Sequence, residues 1–85
     1  MNVKILGTGC PNCQRLERLT REAAAEAGLA VHVEKVTDIA DIMGYGVMST
    51  PGLVVDEQVK SSGRVPSRSE IAGWLNEAAT ARSAR

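Results

Sequence analysis

The spacing of apolar positions changes period several times along the chain, and each change marks an element. Asn2-Val3-Lys4-Ile5-Leu6 is short and β-branched, and Gly7 stops it, so it reads as a strand. From Pro11 the period lengthens. Cys13, Leu16, Thr20, Ala23 and Ala27 fall on one helical face with Leu19 beside them, while Arg15, Glu17, Arg18, Arg21, Glu22 and Glu26 cover the other side. This predicts a helix from Pro11 to Ala27. Proline suits its first position, where a missing N–H costs nothing, and Gly28 suits its end. Glu17 and Arg21 stand four apart in the favourable order on a solvated face.

Alternation returns from Ala30 to Val36, with Val31 and Val33 on one side and His32 and Glu34 on the other. Asp38 can cap a short helix whose apolar side is Ile39, Ile42 and Met43, and Gly44 and Gly46 break it. Gly52 to Asp56 reads as a buried strand with Pro51 at its entry, where proline is tolerable. Asp56-Glu57 turns the chain into a fourth strand, Gln58 to Ser62, without the glycine of the best two-residue hairpins. Ser67-Arg68-Ser69-Glu70 has the pattern of a capping box, and Ile71, Trp74, Leu75 and Ala78 continue as a helical core face. A frayed tail is expected over Ala79 to Arg85.

The order is therefore βαβ followed by αββα. A helix between the first two strands makes them parallel with a right-handed crossover, and the last two strands form a hairpin. The expected architecture is an α/β sandwich, a mixed sheet with helices on both faces. The 85 residues make one domain spanning 1–85. Its core must be built from Val, Ile, Leu and Ala, because Tyr45 and Trp74 are the only aromatics.

Charge then removes several function classes. Lys plus Arg equals Asp plus Glu at ten each, so nothing favours nucleic acid, a membrane surface or an acidic substrate. The apolar start is too short for a signal peptide's central region, and no stretch approaches a membrane span. A cytoplasmic location is the expectation.

The candidate chemistry sits in Gly7-Thr8-Gly9-Cys10-Pro11-Asn12-Cys13, which holds both cysteines. Three readings compete. A structural staple would close a very small loop, which is poorly rewarded, and a close pair in a reducing compartment is more often catalytic or metal-binding. A closed zinc site wants four protein ligands, and His32 is the only histidine, so metal would need a two-coordinate soft ion or a second chain. His32 itself reads as a solvated surface residue. The third reading is thiol–disulfide exchange, and the position of the pair favours it. The pair lies between the first strand and the first helix, where unsatisfied N–H groups and the helix dipole stabilise a thiolate. Cys10, before Pro11, should be exposed at the cap, whereas Cys13 should be shielded beside Leu16. Cys10 is then the nucleophile and Cys13 the resolver.

CPNC after the first strand, opening a helix, and Thr50-Pro51 before a later strand together resemble the thioredoxin superfamily, most of all its small redox-active disulfide proteins. The resemblance runs from Met1 to about Ala79. It implies a thioredoxin-like βαβαββα fold on a four-stranded mixed sheet and a cis bond between Thr50 and Pro51, set against the cysteines. Thr50 and Pro51 would then bind substrate by presenting backbone groups to an extended segment, as an added strand does. Gly9, Pro11 and Asn12 would support the site. The expected activity is exchange of electrons with protein or small-molecule disulfides through a Cys10–Cys13 pair, by a monomer with no cofactor or metal; a thioredoxin-reductase-like electron donor is implied, because the chain has no dinucleotide fingerprint of its own. The alternative is a soft-metal or metalloid carrier using the same thiols, and a third reading is a redox sensor that docks without turnover.

The chain also departs from the larger relatives. Gly9 replaces the tryptophan that precedes their first cysteine, Pro-Asn replaces Gly-Pro, and no acid in the early strands matches their buried one. Asn12 stands where glutaredoxins carry tyrosine, and Ser62-Gly63-Arg64 is a poor match to their glutathione-gripping element. Tyr45 and Met48 are expected to flank the site as apolar contact area, and Arg64 to be a solvated arginine.

Overall fold

The computed structural model describes residues 1–83, with side chains over 1–81. The elements are β1 (Asn2–Leu6), α1 (Pro11–Ala27), β2 (His32–Val36), α2 (Ile39–Gly44), β3 (Gly52–Val55), β4 (Gln58–Ser62) and α3 (Arg68–Ser83). The sheet has four strands in the order β2-β1-β3-β4. β1 and β2 are parallel, and the other two pairings are antiparallel. This is the thioredoxin-like α/β arrangement.

Strand alternation divides the core in two. Val3, Ile5, Leu53 and Val55 point to one face, where Leu16, Ala23 and Ala24 of α1 and Ile71 and Leu75 of α3 cover them. Leu6 and Val54 point to the other, beneath Ile42 of α2 and Val47. Every residue of β3 is buried, as its unbroken apolar run requires of a central strand. Trp74 is partly buried and packs against the larger cluster.

The local signals mostly operate as chemistry dictates. Gly28 caps α1 at φ 68°, and its N–H donates to the carbonyls of Ala24 and Ala25. Asp38 caps α2 through Oδ1, which accepts from the Ala40 N–H at 2.8 Å. The Ser67–Glu70 box closes in both directions: the Glu70 N–H donates to Ser67 Oγ at 3.2 Å, and the Ser67 N–H to Glu70 Oε1 at 3.1 Å.

Two boundaries differ from expectation. β2 begins at His32 rather than Ala30, because its partner strand begins at Asn2, which pairs with His32. β3 ends at Val55 rather than Asp56, because Asp56 and Glu57 take φ of 47° and 68°. Positive φ at both central positions is the signature of the hairpin turn that matches strand twist, and here two non-glycine residues adopt it. α3 runs to Ser83, into the segment expected to fray. Residues 84–85 of the expected tail lie outside the described residues.

Candidate active site

The site is built where β1 hands the chain to α1. The buried Gly7 donates its N–H to the Val36 carbonyl at 2.9 Å, which carries the β1–β2 pairing one residue past the strand. Thr8 and Gly9 are exposed, and Gly9 turns the chain at φ 87°. Cys10 follows as the N-cap, with extended backbone at φ −66° and ψ 162°. Pro11 is the first helical residue, and both it and Asn12 are exposed.

Cys10 performs the work of a capping side chain. Its Sγ accepts the backbone N–H of Cys13 at 3.2 Å, and its carbonyl accepts that of Gln14 at 3.0 Å. One of the orphan donors of the helix start is thus aimed at sulfur. The first turn contains no acidic residue, so no like charge opposes a thiolate there.

Cys10 and Cys13 are joined in a disulfide with a Cα–Cα distance of 5.0 Å. The two sulfur-bearing residues are unequal. Cys10 is half-buried rather than fully exposed as expected, because its sulfur turns back to Cys13, whereas Cys13 is 5% exposed and lies one turn before the fully buried Leu16. A cavity of about 140 Å³ lies behind Cys13, with Ile5, Gly7, Glu17, Lys35 and Thr37 in its wall. Glu17 is tied there to Arg21 at 3.0 Å and to Lys35 at 3.7 Å. A larger groove of about 640 Å³ lies beneath α2 and contains neither cysteine.

Thr50 and Pro51 come to the same end of the sheet ahead of β3, whose Gly52 pairs with Leu6. Their peptide bond is cis. Pro51 is buried and its carbonyl accepts the Gly63 N–H at 2.9 Å, while Thr50 is exposed. A methyl group built on Gly7 would stand 3.8 Å from Thr50 Cβ and would overlap Cys13 Sγ, so Gly7 lies between the two. Gly9, Cys10, Pro11, Asn12, Cys13, Thr50 and Pro51 therefore converge on one end of the sheet. Met48, in the loop that leads to Thr50, is 83% exposed.

Tyr45 is elsewhere. Its hydroxyl accepts from Lys4 Nζ at 2.6 Å and donates to Glu57 Oε2 at 3.0 Å, under α2 rather than beside the cysteines. Lys4 also pairs with Glu57 at 2.7 Å, and this bond, followed by that from Tyr45, raises the Lys4 pKa and lowers that of Glu57. Position in the chain put Tyr45 near Thr50, but a charged partner across the sheet holds it away. Arg64 is likewise not free: it grips the Glu70 carboxylate with two nitrogens at 3.2 and 2.7 Å. His32 is exposed. Among the described residues no group of three or more His, Cys, Asp or Glu could hold a metal ion.

Two features escaped sequence reading. Gly7 shows in the sequence only as the end of a strand, and its contact with Cys13 emerges from packing. The Lys4–Tyr45–Glu57 cluster joins residues 41 apart or more from Lys4, beyond any periodic signal.

The comparisons with known proteins agree with this geometry. A family model described as "Thioredoxin domain" matches residues 1–76. A thioredoxin of Methanothermobacter thermautotrophicus (strain ATCC 29096 / DSM 1053 / JCM 10044 / NBRC 100330 / Delta H) is 45% identical over 71 residues, covering 84% of this chain and 92% of its own. A thioredoxin of Methanocaldococcus jannaschii (strain ATCC 43067 / DSM 2661 / JAL-1 / JCM 10045 / NBRC 100440) is 36% identical over 69 residues, covering 81% and 79%. A cysteine pair closed across the first turn of a helix, on a chain so matched over most of its length, leaves one conclusion: this protein belongs to the thioredoxin family and is a thiol–disulfide oxidoreductase with a redox-active Cys10–Cys13 pair.

Proposed function

We propose that the protein reduces disulfides of protein substrates, with Cys10 as nucleophile and Cys13 as resolving thiol. The observation that carries this reading is the asymmetry of the pair. Cys10 Sγ sits at the helix start and accepts the Cys13 N–H, while Cys13 is buried. Reduction of the pair leaves the same N–H to stabilise a Cys10 thiolate. That thiolate attacks one sulfur of a substrate disulfide, forms a mixed disulfide and expels the other sulfur as a thiolate. Cys13 loses its proton to solvent and attacks Cys10 Sγ. The internal disulfide closes, and the second substrate sulfur leaves as a thiolate. Two electrons have passed to the substrate, and two protons complete its thiols.

Thr50 and Pro51 are the proposed substrate seat. Thr50 is exposed beyond the last β1–β3 pair, Leu6 with Gly52, where an extended segment can lie alongside the loop. A reductase of the thioredoxin-reductase kind would return the electrons. A reducing compartment such as the cytoplasm is the setting in which such a pair cycles.

The test is reduction of insulin disulfides with dithiothreitol as electron source and excess chelator present. The expected outcome is full activity under chelation, with a Cys13→Ser variant accumulating as a mixed disulfide through Cys10. Absent activity together with stoichiometric uptake of copper(I) or zinc would instead support a soft-metal carrier. Docking that survives without any mixed disulfide would support a sensor.

A further inference from the structure

The one glycine of the site with no conformational need to be glycine is Gly7. Gly9, two residues on, turns the chain at φ 87°. Gly7 is not among the residues of positive φ, and its N–H is held in a sheet-like bond to Val36. An alanine could adopt that backbone. What Gly7 lacks is space. A methyl group there would overlap Cys13 Sγ, while standing 3.4 Å from Cys13 Cβ and 3.8 Å from Thr50 Cβ. The collision is with the sulfur alone; the other two contacts are of ordinary length.

We infer that Gly7 is a positioning residue for the redox couple: its bare backbone is the seat of the Cys13 sulfur, and this seat favours the disulfide over the dithiol. The inference rests on the exchange reading above. In the disulfide, Cys13 Sγ is bonded to Cys10 and cannot leave its place. In the dithiol it is free to rotate to another staggered rotamer. An added methyl at Gly7 therefore costs the oxidised form more than the reduced form. The equilibrium concerned exchanges one disulfide for another: the protein disulfide and two molecules of reduced glutathione give the protein dithiol and oxidised glutathione.

The experiment measures that equilibrium for the wild-type chain and Gly7→Ala across a series of glutathione ratios, with thiols alkylated and counted by mass spectrometry. The expected result is a shift toward dithiol of at least tenfold, which corresponds to a potential about 30 mV less reducing. A companion pair, Cys13→Ala and Gly7→Ala/Cys13→Ala, removes the sulfur. There the methyl meets only a Cβ, so the fall in Tm caused by Gly7→Ala in the wild-type background should vanish. If oxidised Gly7→Ala does not fold, Gly7→Ala that folds under excess dithiothreitol, with the double variant melting with Cys13→Ala, sustains the inference, and failure to fold in both redox states overturns it. An unchanged glutathione equilibrium overturns it, as does an equal loss of Tm, or of folding, with and without the sulfur. Wild-type protein that equilibrates with glutathione yet does not reduce insulin would overturn the protein-substrate reading alone.

Discussion

The Lys4 ammonium lies 2.7 Å from the Glu57 carboxylate, which ties a central strand to the tip of the β3–β4 hairpin. Glu57 holds this position at φ 68°, a region that costs a non-glycine residue and nothing in glycine. The ion pair and the Tyr45 hydroxyl thus oppose the backbone preference of the turn. In a Lys4→Met background the ion pair is gone and only the Tyr45 hydroxyl still holds Glu57, while the backbone cost remains. Glu57→Gly should then raise Tm, whereas in the wild-type background the same substitution should gain less or lose. Thermal melts of the four proteins check the sign of this coupling, and equal effects in both backgrounds would contradict it.

The second ion pair sets an acid limit. Arg64, and next the Ser67 N–H, hold the Glu70 carboxyl down at about 2 from its usual 4.5. A carboxylate with a lowered folded-state pKa releases its proton more readily when folded. Its stabilisation is complete above about pH 4.5 and is lost as pH falls toward about 2. Melts taken across that window should show Tm falling steadily. Glu70→Gln keeps an oxygen for the Ser67 N–H but loses the ion pair with Arg64; it should melt lower at neutral pH and show a shallower decline in acid.

Leu16 is fully buried between the sheet and α3, one turn after Cys13. Leu16→Ala removes its core contacts and should cost about 2–5 kcal/mol, a large share of the stability of a small domain. Urea unfolding of the reduced protein should show the midpoint falling with the slope unchanged.

A Cys13→Ser variant leaves Cys10 as a lone thiol at the helix start. The thiol should titrate below the value of about 8.5 for a free cysteine, read by ultraviolet thiolate absorbance. Titration at or above that value would remove the basis for Cys10 as nucleophile.

Met48 is 83% exposed beside Thr50. Met48→Ser should leave stability within about 0.5 kcal/mol. It should slow reduction of insulin by several-fold while leaving a small disulfide such as oxidised glutathione unaffected. Equal effects on both substrates would contradict a contact made with protein substrates.

Much of the molecule was legible from one dimension. The strand alternation, the α1 period, the Asp38 cap and the Ser67–Glu70 box depend on neighbours within one turn and appear as the sequence predicts, whereas of the expected apolar side of the short α2 only Ile42 is buried and Ile39 and Met43 are exposed. The cap geometry of Cys10 follows equally from its place before Pro11. Where the chain needed a partner across the sheet, local reading failed. Tyr45 was expected at the cysteines, but its hydroxyl is claimed by Lys4 and Glu57. Glu57 sits in a turn whose sequence lacks glycine, because a strand residue far away holds it there. Gly7 reads as the end of a strand, and only the folded chain shows that a sulfur fills the space its missing side chain leaves. Periodicity and capping are contacts along the chain, so sequence determines them. Which side chains share a volume is decided by packing between segments, and that exists only once the sheet has formed.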